Sequence, residues 1–356
     1  MGPNSTLRYT PANVRDSCTA YMQHQAKHVA INEANISTFV AGLDRSQFDK
    51  LGEPIRYPLS FKSVDEEVNF LALVDLLNFG SGYRKLLHQY CDRGAHETMM
   101  FGVIGMYISS PRLDAKTLRG LSLDSVANYF SIPLDRDEEL STGIYISKPG
   151  PLKPLAEGIH QVLTETGSLC LKHGFDDLGA FVLAHVHETA APSTDEALHV
   201  GPSAAALVDA LAATFPGFCD VHNDVIILKK AQLLASNLYR RFGASDVRFA
   251  FQDMETLTAC SDNVLPCVLH ALGILEYTPA LAAAIEDGQV LVLGSDEEVE
   301  LRAGAVVACD KILAVLQEGD IPDATILALD SYMWRVGKEP LYRPLERHAT
   351  QDTVLY

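Results

Sequence analysis

Apolar positions recur at helical intervals along most of the chain. Val68, Phe70, Leu71, Val74 and Leu77 mark one such stretch, running to Asn78. It opens on a capping box, Ser63-Val64-Asp65-Glu66: the Ser63 hydroxyl is expected to accept from the Glu66 amide while the Glu66 carboxylate reaches back to the Ser63 amide. The same reading predicts helices over 154–173, closed by Gly174, and over 202–215, closed by Pro216. Another covers 230–242, with Gly243 expected beyond it in the left-handed conformation. Pro266 and Pro279 sit where a first helical turn lacks a use for an amide donor, and Thr278 is expected to cap the second of these two helices. The stretches 265–272 and 278–286, with Gly273 between them, thus read as helix, short turn, helix. Two further helices are predicted over 305–317 and 323–334. Strand signal is confined to 218–222 and 225–228, which flank the turn pair Asn223-Asp224. The expected architecture is mostly α with one small β-hairpin.

No repeat, low-complexity tract or linker-like shift interrupts this pattern. Pro149-Gly150-Pro151 is the best candidate boundary, and it reads as one loop within a continuous helical body, so residues 1–356 are expected to form a single domain. Composition adds that the chain is globular: 47% hydrophobic, 21% charged, with 24 Gly and 17 Pro. Its 28 Lys and Arg against 46 Asp and Glu give a net charge of −18. Such a surface repels polyanions, and with only scattered basic pairs such as Lys229-Lys230 and Arg240-Arg241 it argues against polymeric nucleic acid as a partner. Seven widely spread cysteines, an odd number without a C-x-x-C pair, fit free thiols in a reducing compartment. There is no basic segment leading into an apolar one at the start, and no run of about 18 apolar residues. The expectation is a cytoplasmic, monomeric protein without a membrane contact.

The usual catalytic signatures do not occur: no G-x-S-x-G, G-x-G-x-x-G after a strand, P-loop or H-E-x-x-H is present. Gly80-Ser81-Gly82-Tyr83-Arg84-Lys85 follows a helix and lacks P-loop spacing, so it serves equally as a tight turn. His185-Val186-His187-Glu188 offers zinc-type ligands, but residues two apart do not share a helix face, and no metal is expected. Carboxylate chemistry remains. In the segment 251–266, Asp253 stands beside Phe251 and Asp262 beside helix-start signals. On these residues alone Asp262 reads also as a cap for the helix opening near Pro266, and Asp253 as a solvated loop carboxylate.

The segment F-x-D, eight further residues, a second Asp and then L-P resembles the queuosine salvage family, the queuosine 5′-phosphate N-glycosylases. Collinear matches extend along the chain: Asp75-Leu76-Leu77-Asn78-Phe79 is similar to the family's D-x-x-N-F, and Lys229-Lys230-Ala231-Gln232 to its K-R-A-Q. Asp296 with Glu298-Val299-Glu300-Leu301-Arg302 is similar to its D-x-x-E-V-E-I-R, and Leu329-Asp330-Ser331-Tyr332-Met333-Trp334 to its LD-x-Y-L-W. The chain departs from the family after Asn78-Phe79, where Gly80-Ser81-Gly82-Tyr83 replaces an aromatic-rich stretch: either Tyr83 and Phe101 substitute for those pocket walls, or the nucleobase side of the pocket differs here.

The resemblance implies a helical fold like that of the DNA-glycosylase superfamily, with its helix-hairpin-helix, acting on a free nucleotide without a cofactor. It implies cleavage of an N-ribosidic bond with Asp253 as the catalytic carboxylate. It places Asn78 and Asp262 against the base edge, Phe79, Phe251 and Tyr83 against the heterocycle, and Lys229, with Arg84, toward the 5′-phosphate. A nucleotide hydrolase of other base specificity and a non-catalytic nucleotide-binding protein are the alternatives on the same residues.

Overall fold

The computed structural model describes residues 8–51, 57–110, 112–188, 201–319 and 321–356; the side chains of 51, 187 and 188 lie outside that description. The fold is mostly α, with three two-stranded antiparallel sheets among the described residues. Where the sequence reads as one uninterrupted body, the chain divides into two compact units. The first comprises Met1–Ser60 and Ala184–Ala349, the second Phe61–Leu183 and Thr350–Tyr356. Pro149-Gly150-Pro151 lies inside the second unit and marks no boundary.

The first unit is built around the helix Asp296–Glu318, whose residues 298–309 are all buried. The helices Pro11–His24, Glu33–Ala41, Val264–Ala271 and Ile326–Val336 pack against it. It begins nine residues before the predicted start at 305: Asp296 and Glu297 in its first turn are part-exposed, but Glu298, Glu300 and Arg302 after them are charges paired inside the unit. Glu300, fully buried, shows how: its carboxylate accepts the amides of Lys27 at 2.9 Å, His28 at 2.5 Å and Val29 at 2.9 Å. That fixes the strand Val29–Ile31, which pairs with Leu275–Tyr277, Val29 facing Tyr277. A strand therefore stands between Val264–Ala271 and Pro279–Glu286, where the sequence predicts only a turn. Gly273 supplies the bend at φ +69°. Thr278 takes the cap position, but its hydroxyl makes no capping bond.

The hairpin at Asn223-Asp224 forms as predicted. Val221–His222 pairs with Val225–Ile226, and both turn residues have positive φ, 50° and 64°, as a two-residue hairpin turn with the right twist requires. Gly243 departs from expectation: its φ is −56°. Glycine is needed there for space, since a Cβ would stand 2.6 Å from the Tyr239 carbonyl oxygen.

In the second unit the helix Val64–Leu76 runs through the core, buried from Val68 to Leu76. Ser63 caps it as expected by accepting from the Glu66 amide at 3.2 Å, while the Glu66 carboxylate reaches the Lys62 amide and not that of Ser63. Lys153–Lys172 ends just before Gly174, where the sequence places the stop, and Gly174 has φ +81°. The strands Asp135–Ser141 and Ile144–Pro149 have no counterpart in the sequence reading; the first is polar apart from Leu140, the second carries Ile144, Tyr145 and Ile146, and both are largely exposed, so no buried face imposes a clean alternation.

Candidate active site

Residues 257–263 connect a short turn, Met254–Thr256, to the helix Val264–Ala271, and every one of them is buried. A loop so placed must satisfy its backbone polar groups with protein partners, because unpaired ones cost free energy comparable to a lost hydrogen bond. Side chains from distant segments do this. Gln232 accepts from the Thr258 amide at 2.8 Å and donates to the Thr258 hydroxyl at 2.9 Å. Asp330 accepts the Cys260 amide at 2.8 Å. Arg302 donates to the Ser261 carbonyl through both Nε and Nη2, each at 3.3 Å. The Asn263 side-chain amide donates to the His348 carbonyl at 3.3 Å.

Asp262 sits near the end of this braced loop, 6% exposed. Its Oδ1 accepts the Val264 amide at 2.6 Å, which places the carboxylate at the positive end of the following helix. Its Oδ2 accepts no hydrogen bond among the described residues.

The charges around Asp262 are buried as a group. Arg302 holds both oxygens of Asp220, at 3.1 and 2.5 Å, and one of Glu298 at 3.3 Å. Lys229 and Lys230 open the helix Lys229–Phe242 and are 3% and 1% exposed. The preceding Leu228 has φ 52°, a left-handed conformation that costs a non-glycine residue on the order of 1 kcal/mol and so needs support from its surroundings. Burial pulls both amines below the ordinary lysine range. Asp262 is the main opposing influence on Lys229, whereas Lys229 itself depresses Lys230 further. Burial likewise pushes the Asp330 carboxyl up to about 6, against the pull of the Cys260 amide, Arg240 and Lys229, and with the help of Asp262. The His348 imidazole is pushed down to about 3 by burial and by Arg302, so it is neutral at neutral pH.

Asp253 occupies a different setting. Its Oδ2 accepts from the Ser203 hydroxyl at 2.6 Å and the Ala205 amide at 3.0 Å, and its Oδ1 from the Ala204 amide at 2.6 Å. It is a carboxylate staple on the first turn of the helix Ala204–Thr214, and both oxygens are engaged. Phe251, 4% exposed, stands edge-on to Phe249 at 6.5 Å, and Phe249 in turn packs on Phe242 at 5.1 Å. That row of rings belongs to the core of the first unit.

Asn78, Phe79 and Tyr83 are brought together in the second unit, around the turn that follows Val64–Leu76. Phe79 and Tyr83 are buried, and burial, with Asp352 and Glu157, raises the Tyr83 phenol to about 12. The turn itself is occupied by the chain's last residues. Gly80 donates to the Tyr356 carbonyl at 3.0 Å, and Gln351 donates to the Gly82 carbonyl at 3.3 Å. A Cβ on Gly82 would lie 2.1 Å from the Thr350 carbonyl oxygen, so only glycine admits this approach. Phe101 is 47% exposed and takes no part in this turn. His185-Val186-His187-Glu188 ends the helix Leu178–Glu188, with the side chains of His187 and Glu188 outside the described residues. Among the described residues no group of three or more His, Cys, Asp or Glu is placed to hold a metal ion, and no helix is long and apolar enough to cross a membrane.

A family model described as queuosine salvage protein matches residues 138–354. The chain belongs to the queuosine salvage family. A Sphaerobacter thermophilus protein named queuosine 5′-phosphate N-glycosylase/hydrolase is 36% identical over 208 residues, 57% of this chain and 58% of that one. Proteins of the same name from Mus musculus and Bos taurus are 26% identical over 233 residues and 27% over 298, covering 62% and 80% of each partner's length. The alignments with the first two relatives thus span about three fifths of their length. The queuosine salvage match takes in Lys229, Asp253, Asp262, Arg302 and Asp330, and stops short of Asn78, Phe79 and Tyr83.

In the sequence, Gln232, Arg302 and Asp330 appear only as letters of family-like motifs, without roles. The structure turns all three onto the 258–261 backbone. Charged residues at i and i+4 within an apolar helix, Glu298 and Arg302, were the available signal. Asp220 carries no such signal and is found only through its pairing with Arg302.

Proposed function

We propose that the protein hydrolyses the N-glycosidic bond of queuosine 5′-phosphate, with Asp262 as the carboxylate that stabilises the reacting sugar. The names of the relatives support the reaction and substrate. One observation carries the choice of residue: Asp262 has one oxygen uncommitted on a loop braced from several sides, whereas both oxygens of Asp253 serve a helix end. On this reading the catalytic role expected for Asp253 goes to Asp262, and Asp253 anchors the first turn of Ala204–Thr214 beside its cap Ser203.

Breaking the bond between C1′ and the glycosidic nitrogen develops positive charge on the ribose ring. A fixed carboxylate gains more from that cation than from the neutral ground state, and this difference accelerates the step. The hydroxyl of water ends on C1′ and its proton on the departing base, so the products are the free base queuine and ribose 5-phosphate. A carboxylate already fixed by Val264 and by the braced loop needs no reorganisation as the charge appears. Lys229 is assigned to the 5′-phosphate, whose negative charge would favour the ammonium form that burial disfavours. The assignments of Asn78, Phe79 and Tyr83 to the substrate rest on the family resemblance alone, and Phe251, packed in its aromatic row, is assigned to the core. The net charge of −18 favours a free nucleotide over polymeric nucleic acid as the substrate, and the cytoplasmic, monomeric state is carried over from the sequence reading alone.

The test is release of queuine from queuosine 5′-phosphate, followed chromatographically. The wild-type protein is expected to release it, and Asp262→Ala to lose at least about a hundredfold while remaining folded. Asp253→Ala inactive and Asp262→Ala active would reverse the assignment.

A further inference from the structure

We propose that Asp330 is a positioning residue for the reaction: it clamps the peptide leading into Asp262 and ties the alignment of that carboxylate to its own protonation state. The proposal rests on the reading of Asp262 given above and assigns a task to a carboxylate that the reaction itself does not use.

The geometry is a two-sided grip. Cys260 offers its amide to Asp330 Oδ1 at 2.8 Å, and Ser261 offers its carbonyl to Arg302 at 3.3 Å. An anion on the N–H and a cation on the C=O immediately before Asp262 fix the backbone from which the reacting carboxylate projects. Charge-assisted bonds of this kind are roughly twice as strong as neutral ones. The two holders belong to different helices, Ile326–Val336 and Asp296–Glu318, so neither grip is a by-product of local chain geometry. Gln232 already secures Thr258. Asp330 and Arg302 act closer to Asp262.

The Arg302 grip does not change with pH, whereas the Asp330 grip does. Asp330 is faced by Asp262 and Cys260 from the loop, by Lys229 and Arg240 from the helix Lys229–Phe242, and by Cys309 from Asp296–Glu318. Arg240 also donates to the neighbouring Ser331 hydroxyl at 2.6 Å. With Asp262 adding to the burial that holds its proton affinity up to about 6, Asp330 gains a proton within a mildly acidic range. Protonation leaves the carbonyl oxygen able to accept from Cys260, but without the charge that made the bond strong. Above that range the loop is held; below it the loop loosens and Asp262 loses its alignment. The effect falls on the step in which charge develops, so it appears in kcat and not in KM.

Two variants and two measurements test this. In queuine-release kinetics across pH 5–8, the wild type is expected to show an acidic limb in kcat near pH 6. Asp330→Asn, which keeps the shape and a neutral acceptor, is expected to lose that limb and to run at a plateau about threefold lower. Asp330→Ala is expected to lower kcat roughly ten- to hundredfold with KM within about twofold. In parallel, hydrogen exchange of the Cys260 amide reads the clamp without substrate. Its protection is expected to fall as the wild type is taken below pH 6, to be independent of pH in Asp330→Asn, and to be lost in Asp330→Ala. An acidic limb that persists in Asp330→Asn, or Cys260 protection unchanged in Asp330→Ala, overturns the proposal. If the wild type releases no base, the reading of Asp262 fails, while the exchange measurement on the same proteins still decides whether the clamp exists.

Discussion

Around Asp253 every partner of the carboxylate lies in one helix end, residues 203–205; around Asp262 the supports come from Gln232, Arg302, Asp330 and His348, four segments far apart in sequence. The two aspartates stand in one stretch of chain, and by spacing alone either could be a cap or a reactant. What separates them is how their hydrogen-bonding capacity is spent. A cap is complete when its oxygens are filled by amides, whereas a group that must meet substrate needs rigid backing and an uncommitted atom. Distant side chains supply the backing, and they also make the region costly to disturb.

The largest expected effect follows from that cost. Arg302→Met leaves Asp220 and Glu298 buried without their cation, and is expected to destabilise the protein by about 3–5 kcal/mol in denaturant melts. A loss under about 1 kcal/mol would mean that the carboxylates find other partners and that the backing is redundant. Next in size, Asp262→Asn keeps the acceptor for Val264 but removes the charge. It is expected to lower queuine release at least about a hundredfold, equivalent to about 2.7 kcal/mol, with little change in melting temperature.

Acid sharpens the contrast further. His348 has a pKa of about 3 in the folded state against an unfolded value of 6.5, so the unfolded chain binds the extra proton first. Its contribution to stability is full above pH 6.5 and declines as pH falls toward 3, by about 2 kcal/mol between pH 7 and pH 5. Asp330 works in the opposite sense: its raised pKa favours the folded state as pH falls through 6. Comparing His348→Gln with wild type at both pH values isolates the histidine, and the variant is expected to be less acid-sensitive by that amount. Equal acid sensitivity would show that His348 charges readily in the folded protein. The smallest effect is expected at Asp253. Its replacement by Ala removes the staple on Ala204–Thr214 and is expected to cost about 1–2 kcal/mol of stability, with queuine release by the folded protein within about twofold of wild type. A hundredfold loss there, in a protein that melts normally, would dissolve the comparison.

Local chemistry was legible in the sequence. The Ser63 cap, the stop at Gly174 and the Asn223-Asp224 hairpin each depend on a few adjacent residues, and each is found. Tertiary pairing was not legible. The front of Asp296–Glu318 reads as polar because Glu298, Glu300 and Arg302 look like solvated charges, yet all three are fully buried, Glu300 and Arg302 on partners remote in sequence and Glu298 on Arg302 one turn along. The strands Val29–Ile31 and Leu275–Tyr277 are three residues each and meet across most of the chain, so neither announces the other. At the site, Lys229 and Asp262 were visible as candidates. The assignment between Asp253 and Asp262 was not, because it depends on Ser203, Ala204 and Ala205 occupying one of them.

During synthesis the ribosome delivers Phe61–Leu183 long before Thr350–Tyr356, with all of Ala184–Ala349 made in between. At typical elongation rates that interval lasts on the order of ten seconds. Until it ends, the Gly80 amide has no Tyr356 carbonyl to bind, and the Gly82 surface that receives Thr350 stays uncovered. Tyr83, buried in the finished unit, and Phe79 beside it thus belong to a body that is completed last although most of it is made early. A nascent chain stalled before residue 350 therefore leaves this unit without its closing segment, although every residue of the first unit has been made.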